Sequence, residues 1–500
     1  MDEPESTPRP PRRSGAKAPV PGAEAPAPGA EAPAPGAEAP ARGAKAPARG
    51  AKAPARGAKA PARGAEAATR HRDLTLYWWG QTASAFGSVF TAIALPIVAV
   101  VQLGASAMEV GLLSAAATLP ILLFGLPAGA LADRITRPRR ALMALDCVSA
   151  VTVAVVALGL AQDIVTVVWL ACLSAALGAM STLSTAVYFL HLKQLAGADR
   201  VGPARAKLQA GQYGASLIGR LLSGPAVAVL GGASALALDA VSYLLSAVAL
   251  LSMRQPDRMP PRAGQPLAAT LRGAADGLRF FTKDPFHRAL AVFVVVPTCT
   301  AAAVTALTGP FLLRTLELPT EAFGAVFALS GIMGLGGSAV ASRLLRPGSD
   351  ARRVSLFTFT LAAACTLLLP LSNGPLALAA PSAALGIGLP VFFGAIANVA
   401  VTSVLVADVP EAVLGRSMAA LQVCTAAAGI LGALVGGALG SRWGVREALW
   451  AMTLLGLAGV LVTLPRALRT ARRLREAAER ETAAARDESL DAEGPARRAT

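Results

Sequence analysis

The stretch Gly129-Ala130-Leu131-Ala132-Asp133-Arg134-Ile135-Thr136-Arg137-Pro138-Arg139-Arg140 decides the fold of this chain. It joins two apolar runs that are each long enough to cross a membrane. At helical spacing Gly129, Asp133 and Arg137 fall on one face. We expect Gly129 to let a neighbouring helix approach closely, and the carboxylate of Asp133 to meet the positive N-terminal end of that helix.

The arginines of this turn predict its side of the membrane and a conformational latch. Positive residues in short loops stay on the cytoplasmic side. Asp146, about two turns into the following apolar run, is a candidate partner for the arginines, and such a pair would have to break when the protein opens inward. The predicted switch motif comprises Gly129, Asp133, Arg134, Arg137, Arg139, Arg140 and Asp146.

The composition predicts an all-α polytopic membrane protein. Of 500 residues, 54% are hydrophobic, and apolar runs of about 20 residues alternate with short charged loops. The net charge of +16 lies in loops and tails rather than on a folded soluble face, which argues against a nucleic-acid partner. Abundant Ala and scarce Lys beside Arg are typical of a GC-rich bacterial genome, so we expect the inner (plasma) membrane of a bacterium.

Hydropathy predicts twelve transmembrane helices. We expect them near 75–101, 108–132, 140–161, 164–190, 208–230, 233–253, 289–313, 321–345, 354–372, 375–406, 414–440 and 444–465. Loops on one side hold about twenty Lys and Arg, whereas the other side holds Arg314, Arg442 and Arg446. Both termini are therefore expected in the cytoplasm.

The chain divides into two halves, a linker and two tails. A turn near Ser342 echoes the opening stretch, with Ser342 at the acidic position, and this echo predicts two pseudo-symmetric six-helix bundles. Gly- and Pro-rich repeats predict a disordered N-terminal tail, and an amphipathic stretch predicts an interfacial helix in the linker. The predicted segments are the tail 1–72, the first bundle 73–253, the linker 254–288, the second bundle 289–466 and the charged tail 467–500.

Polar residues inside the spans are the candidates for transport work, because charge is costly in a membrane. Arg220 lies near the middle of the fifth span, and Asp239 lies two turns into the sixth. We hypothesise that these two form an ion pair or a water-bridged couple. The cavity and coupling candidates are Arg220, Asp239, Gln212, Ser216, Gln81, Ser84, Ser88 and Asn398. For single Ser or Thr residues, hydrogen bonding between packed helices is the favoured interpretation, and for Arg220 a structural ion pair is an equal alternative to a role in transport.

The sequence predicts neither a metal site nor a cofactor. The five cysteines each stand alone in apolar runs, and the three histidines have no ligand spacing. There is no catalytic His/Asp/Glu constellation and no phosphate-binding loop for ATP, so we do not expect an enzyme.

The opening stretch resembles the signature loop of the major facilitator superfamily, written G-x-L-x-D-R-x-x-R-R, although Thr136 stands where the family often has Gly. The resemblance implies that spans 1, 4, 7 and 10 line a central cavity. Further phrases, including Leu238–Ala247 and Asp276–Phe281, resemble the branch of drug-efflux, macrolide-efflux and siderophore-exporting members. The span 5 efflux motif matches only loosely, and the acidic residue that this branch often has in span 1 is Ser88 here.

These observations favour a secondary transporter that exports an amphiphilic small molecule by alternating access, driven by protons. An importer or uniporter is the first alternative. A non-transporting receptor or assembly factor on the same fold is the second. The expected partners are the small-molecule substrate, protons and the lipid bilayer, and we expect a monomer.

Overall fold

Eleven long helices make up nearly all of the described part of the chain. The computed structural model describes residues 60–197, 200–259, 272, 279, 285–346, 349–408, 411–465 and 468–469, and no strand occurs among them. Each of the eleven helices is long and apolar enough to cross a membrane. They are α1 (Ala60–Ile97), α2 (Ala107–Asp133), α3 (Pro138–Ala161), α4 (Val167–Ala196), α5 (Val201–Leu251), α6 (Pro285–Pro310), α7 (Thr320–Leu344), α8 (Ala351–Thr366, extended by Leu368–Leu371), α9 (Leu376–Asp408), α10 (Glu411–Trp443) and α11 (Val445–Pro465).

Helix α5 contains two membrane spans. Its 51 residues would extend about 76 Å at 1.5 Å per residue, which is more than twice the ~30 Å hydrocarbon thickness of a bilayer. Gly231 breaks the helix with φ 80° and ψ 165°, a backbone conformation that glycine adopts without steric cost. We call the two limbs α5a (201–230) and α5b (232–251). Counting both limbs gives twelve spans, which confirms the predicted fold.

The second six-span half repeats the first with a nearly constant offset in residue number. Helices α2 and α7 begin at Ala107 and Thr320, and α3 and α8 begin at Pro138 and Ala351, so each pair differs by 213. The same difference separates the helix breaks at Gly231 and Gly444, which both have positive φ. The π-helical segments Val98–Gln102 and Phe311–Thr315 also correspond. The two bundles are therefore structural repeats, as expected for transporter folds.

The two halves touch through glycine backbones. A Cβ added to Gly111 of α2 would lie 2.6 Å from the carbonyl oxygen of Ala433 in α10. One added to Gly324 of α7 would lie 2.7 Å from the carbonyl oxygen of Arg220 in α5a. Since Gly111 and Gly324 are counterparts, the same contact occurs twice. We call this the glycine contact, and its four glycines are Gly111, Gly224, Gly324 and Gly437.

The glycine contact lies at the end of the spans that is remote from the arginine-rich turn. Gly111 is near the start of α2, and the turn 134–140 follows the end of the same helix. We call the end that carries this turn the arginine-rich end. There, a Cβ added to Gly129 would meet nothing within 4 Å. The close helix approach expected at Gly129 is therefore absent in this conformation, and Gly111 makes such an approach instead.

The segment boundaries differ in part from those predicted. Helix α1 begins at Ala60, so residues 60–72, assigned above to the disordered tail, are helical. Residues 1–59 lie outside the described part of the chain. So do residues 470–500 and most of the linker, where Arg272 and Arg279 are the described residues of the expected interfacial helix.

The helix ends do not fix the register of the second-half echo of the arginine-rich turn. Helices α2 and α7 begin 213 residues apart, but they end at Asp133 and Leu344, which are 211 residues apart. The assignment of Ser342 to the acidic position therefore stays a prediction.

We expect Gly111→Val and Gly324→Val to destabilise this conformation by similar amounts. Each added side chain would meet the facing backbone, and overpacking of this kind costs about 1–3 kcal/mol. The measurement is thermal unfolding of the purified protein in detergent. Gly214→Val is the matched control, because a Cβ at Gly214 meets nothing within 4 Å. Equal behaviour of all three variants would contradict the glycine contact.

Candidate functional site

A polar cavity lies inside the first half. It has a volume of about 350 Å³ and is bordered by α1, α3, α4, α5a and α5b. Five of the predicted residues line it: Gln81, Ser84, Ser88, Asp146 and Gln212. The polar stripes of separate spans therefore converge on one space. The other residues of its wall are Ala85, Leu142, Ser149, Met180, Ser181, Ser184, Thr185, Tyr188, Phe189, Gln209 and Tyr243.

Asp146 is the one carboxylate among the residues that line this cavity. Its residue is 7% exposed, and its buried Oδ2 has no hydrogen-bond partner. Among the described residues, the arginines of the turn form no salt bridge with it. The predicted latch between Asp146 and the arginines is therefore not present. Asp146 lines the polar cavity, whereas Arg134, Arg137 and Arg140 are exposed.

The arginine-rich turn is held by the segment that follows α5b. The guanidinium of Arg139 donates from Nη1 to the carbonyl oxygen of Met253 at 2.6 Å. The carboxylate of Asp257 accepts the backbone N–H groups of Arg139 and Arg140, each at 3.0 Å. These N–H groups belong to the first turn of α3, whose N-cap residue Arg137 makes no side-chain cap. Asp257 therefore caps this helix from a distant part of the sequence.

The remaining residues of the switch motif lie at the arginine-rich end. The side chains of Arg134, Arg137 and Arg140 are exposed. The side chain of Asp133 lies outside the described residues. The role of the motif as a switch stays a prediction.

Asp239 is enclosed between α5b and α1. Its residue is 0% exposed, and its carboxylate accepts the hydroxyl of Thr91 at 2.5 Å and that of Ser242 at 3.1 Å. Gly87 of α1 faces it, since a Cβ there would lie 2.8 Å from Oδ1. Asp239 therefore binds α1, and no direct Arg220–Asp239 ion pair occurs among the described residues. The water-bridged couple stays a prediction. The prediction relied on the fifth and sixth spans being consecutive in the chain, whereas the carboxylate of Asp239 on the sixth span faces the first span.

A hydrogen bond within the wall of the polar cavity lies next to the enclosed Asp239 cluster. The hydroxyls of Ser88 and Tyr243, which both line the cavity, lie 3.0 Å apart. Tyr243 is adjacent in sequence to Ser242, which binds Asp239. Asp239 thus supports the cavity wall from behind without lining the cavity.

Arg220 lies where the two halves meet. Its Cδ would be 3.5 Å from a Cβ added to Gly331 of α7. The guanidinium is partly buried, and among the described residues it makes no salt bridge or hydrogen bond. Ser216, one turn earlier on α5a, is not among the residues that line the polar cavity.

Asn398 lines a second cavity, in the second half, and not the polar one. This cavity has a volume of about 220 Å³ and is bordered by α6, α8, α9 and α11. Its wall comprises Val294, Pro297, Thr298, Thr300, Ala301, Val304, Phe359, Ala362, Ala363, Thr366, Pro390, Gly394, Asn398, Thr453 and Gly456. No cluster of three or more His, Cys, Asp or Glu suited to a metal ion occurs among the described residues.

Twelve spans in two repeated halves, with a polar cavity inside the membrane, are the features of a secondary transporter. The chain belongs to the Major Facilitator Superfamily, whose sequence pattern matches residues 77–405. It is a multi-pass membrane transporter and not an enzyme.

Comparison with known proteins agrees with this assignment. The chain is 30% identical over 412 residues to the multidrug efflux pump Tap of Mycolicibacterium fortuitum, covering 80% of this chain and 97% of that protein. The fold is similar to the crystal structure of the nucleoside transporter NupG, with a TM-score of 0.62, 12% identity, and 79% and 98% of the two chains covered. The fold is also similar to the crystal structure of a bacterial homologue of the human lysosomal transporter Spinster in an inward-facing and unoccupied conformation. The TM-score is 0.58 at 13% identity, and the match covers 81% of this chain and 98% of that chain.

We expect Asp257→Ala to destabilise the protein by about 1 kcal/mol, because α3 loses its cap. Asp257→Asn should restore part of the loss, since an amide oxygen also accepts from backbone N–H groups. Thermal unfolding in detergent is the measurement. Asp163→Asn, in the exposed loop before α4, is the control and should change nothing. An unchanged melting temperature for Asp257→Ala would contradict the capping role.

Proposed function

We propose that this transporter exports an amphiphilic small molecule in exchange for protons, by alternating access between its two halves. The observation that carries the proposal is Asp146, a carboxylate in a cavity inside the membrane that forms no salt bridge with any of the described residues. A carboxylate in this position can hold a proton or attract a cationic group, but it is costly to leave charged and empty. Competition between a proton and the cargo for the carboxylate of Asp146 is the simplest basis for exchange.

Asp146 is a better coupling residue than Asp239. The carboxylate of Asp239 is fully enclosed and satisfied by two hydroxyl donors. The carboxylate of Asp146 borders the cavity and keeps an oxygen without a hydrogen-bond partner. Asp239 then has a structural role, because it joins α5b to α1 and so holds Tyr243 in the cavity wall.

The conformation is consistent with loading from the cytoplasm. The arginine-rich end is expected at the cytoplasmic face of the bacterial plasma membrane, with both termini on that side. The glycine contact joins the halves at the opposite end, whereas Gly129 at the arginine-rich end has open space beside it. An exporter collects its cargo in such a state. The similarity to a multidrug efflux pump supports the same direction.

Everted membrane vesicles with an imposed pH gradient test this proposal. A panel of amphiphilic cations and neutral drugs, beginning with ethidium, should cause proton release that a pH-sensitive dye records. We expect Asp146→Asn to abolish cargo-driven proton release, because an amide cannot exchange a proton. The control Asp163→Asn, in an exposed loop, should behave like the parent.

Two results would contradict the proposal in different ways. Proton release that is unchanged in Asp146→Asn would remove this residue from the coupling step. Cargo movement without any proton movement in the parent would instead indicate a uniporter.

Asp239→Asn should lower the yield of folded protein more than it lowers exchange per folded molecule.

A further inference from the structure

The second cavity is the structural counterpart of the polar cavity. With the offset of 213, three residues of α1 that line the first cavity correspond to three residues of α6 that line the second. The repeat therefore builds one pocket twice, once in each half. These three pairs are Gln81 and Val294, Ser84 and Pro297, and Ser88 and Ala301.

The two pockets differ in polarity at corresponding positions. Phe359 of α8 stands where Asp146 stands on α3, and Gly456 of α11 stands where Tyr243 stands on α5b. The polar residues at these positions, including the one carboxylate, are thus replaced by apolar residues or by glycine. No charged residue is among the described residues that line the second cavity.

The hydroxyl groups of the threonines that line the second cavity already donate hydrogen bonds to backbone carbonyl oxygens. Those of Thr298, Thr366 and Thr453 each donate to a carbonyl oxygen of their own helix at 2.7–2.8 Å. The hydroxyl of Thr300 does the same at 3.2–3.3 Å. Asn398, whose side chain is exposed and donates no hydrogen bond to the described residues, is the remaining side-chain donor in this wall. Moving a charged group into this wall would leave the charge without a partner.

We propose that the second cavity is a ligand subsite for an uncharged aromatic group of the cargo, with one hydrogen-bonding atom facing Asn398. The volume of about 220 Å³ is below the ~300–1,000 Å³ of pockets that hold a whole drug-sized ligand, so the site takes part of a molecule or a small one. The inference rests on the proposed export function and deepens it, because it gives the second half a role in selecting the apolar part of the cargo.

Thiol labelling at counterpart positions tests the inference. Ser88→Cys and Ala301→Cys are made separately in the full chain after replacement of the five native cysteines, and the protein is placed in lipid nanodiscs. Each thiol reacts with neutral benzyl methanethiosulfonate and with the cationic trimethylammonium-ethyl reagent, with rates normalised to a free thiol. We expect the neutral-to-cationic ratio to be about tenfold higher for Ala301→Cys than for Ser88→Cys. Equal ratios would overturn the proposal.

Filling the cavity supplies the second measurement. Gly394 lines it, and a Cβ there meets nothing within 4 Å, so Gly394→Leu should occupy the space without a clash. We expect it to slow the benzyl reaction about tenfold at Ala301→Cys and not at Ser88→Cys. Gly214→Leu, at an open position outside both cavities, is the control. Thr298→Cys replaces Ala301→Cys if that variant does not fold.

Competition identifies the occupant. Neutral N-phenyl-1-naphthylamine should protect the thiol of Ala301→Cys and leave that of Ser88→Cys reactive. Protection that follows added phospholipid but not the aromatic amine would overturn the proposal in favour of an acyl chain. The assay uses no ion gradient, so its failure leaves proton-coupled export standing, and a failure of export leaves the labelling result intact.

Discussion

The structure depends on the direct backbone approach of the two halves at the glycine contact. In lipid there is little hydrophobic force between helices, so close packing of small residues must hold them together. Gly111 and Gly324 provide it at two equivalent places, each against a backbone carbonyl of the other half. A contact that is made twice around a pseudo-twofold axis is well suited to a hinge, because both copies can loosen together.

In the proposed function, the two halves share one framework but have differently lined pockets, so that one half can couple to protons while the other recognises the apolar part of the cargo. The halves share the starts of two helices, the helix breaks and the pocket positions. They differ in what lines the pocket, with Asp146 in one and Phe359 in the other. Family membership does not itself determine the cargo, since one fold carries many functions. The unequal pockets are where the specificity of this chain is expected.

The sequence predicted the spans, the two halves and much of the polar cavity, because hydropathy and helical spacing act locally. Gln81, Ser84, Ser88 and Gln212 meet there as their polar stripes indicated. The partners of charged groups were not predictable in the same way. Asp257 caps α3 from more than a hundred residues away, and no local pattern marks it. Asp239 was assigned to Arg220 because their spans are consecutive in the chain. In the structure its carboxylate binds Thr91 and lies against Gly87, which has no side chain to exclude it.

The most direct test of alternating access is a distance measurement by double electron–electron resonance between the two halves. One spin-label pair, at Arg134 and Arg343, reports on the arginine-rich end, and another, at Asp163 and Asn373, reports on the opposite end. Without cargo, the account predicts a long distance for the first pair and a short one for the second. Addition of cargo at neutral pH should shorten the first distance and lengthen the second. Distances that stay fixed, or that change in the same direction at both ends, would contradict the account.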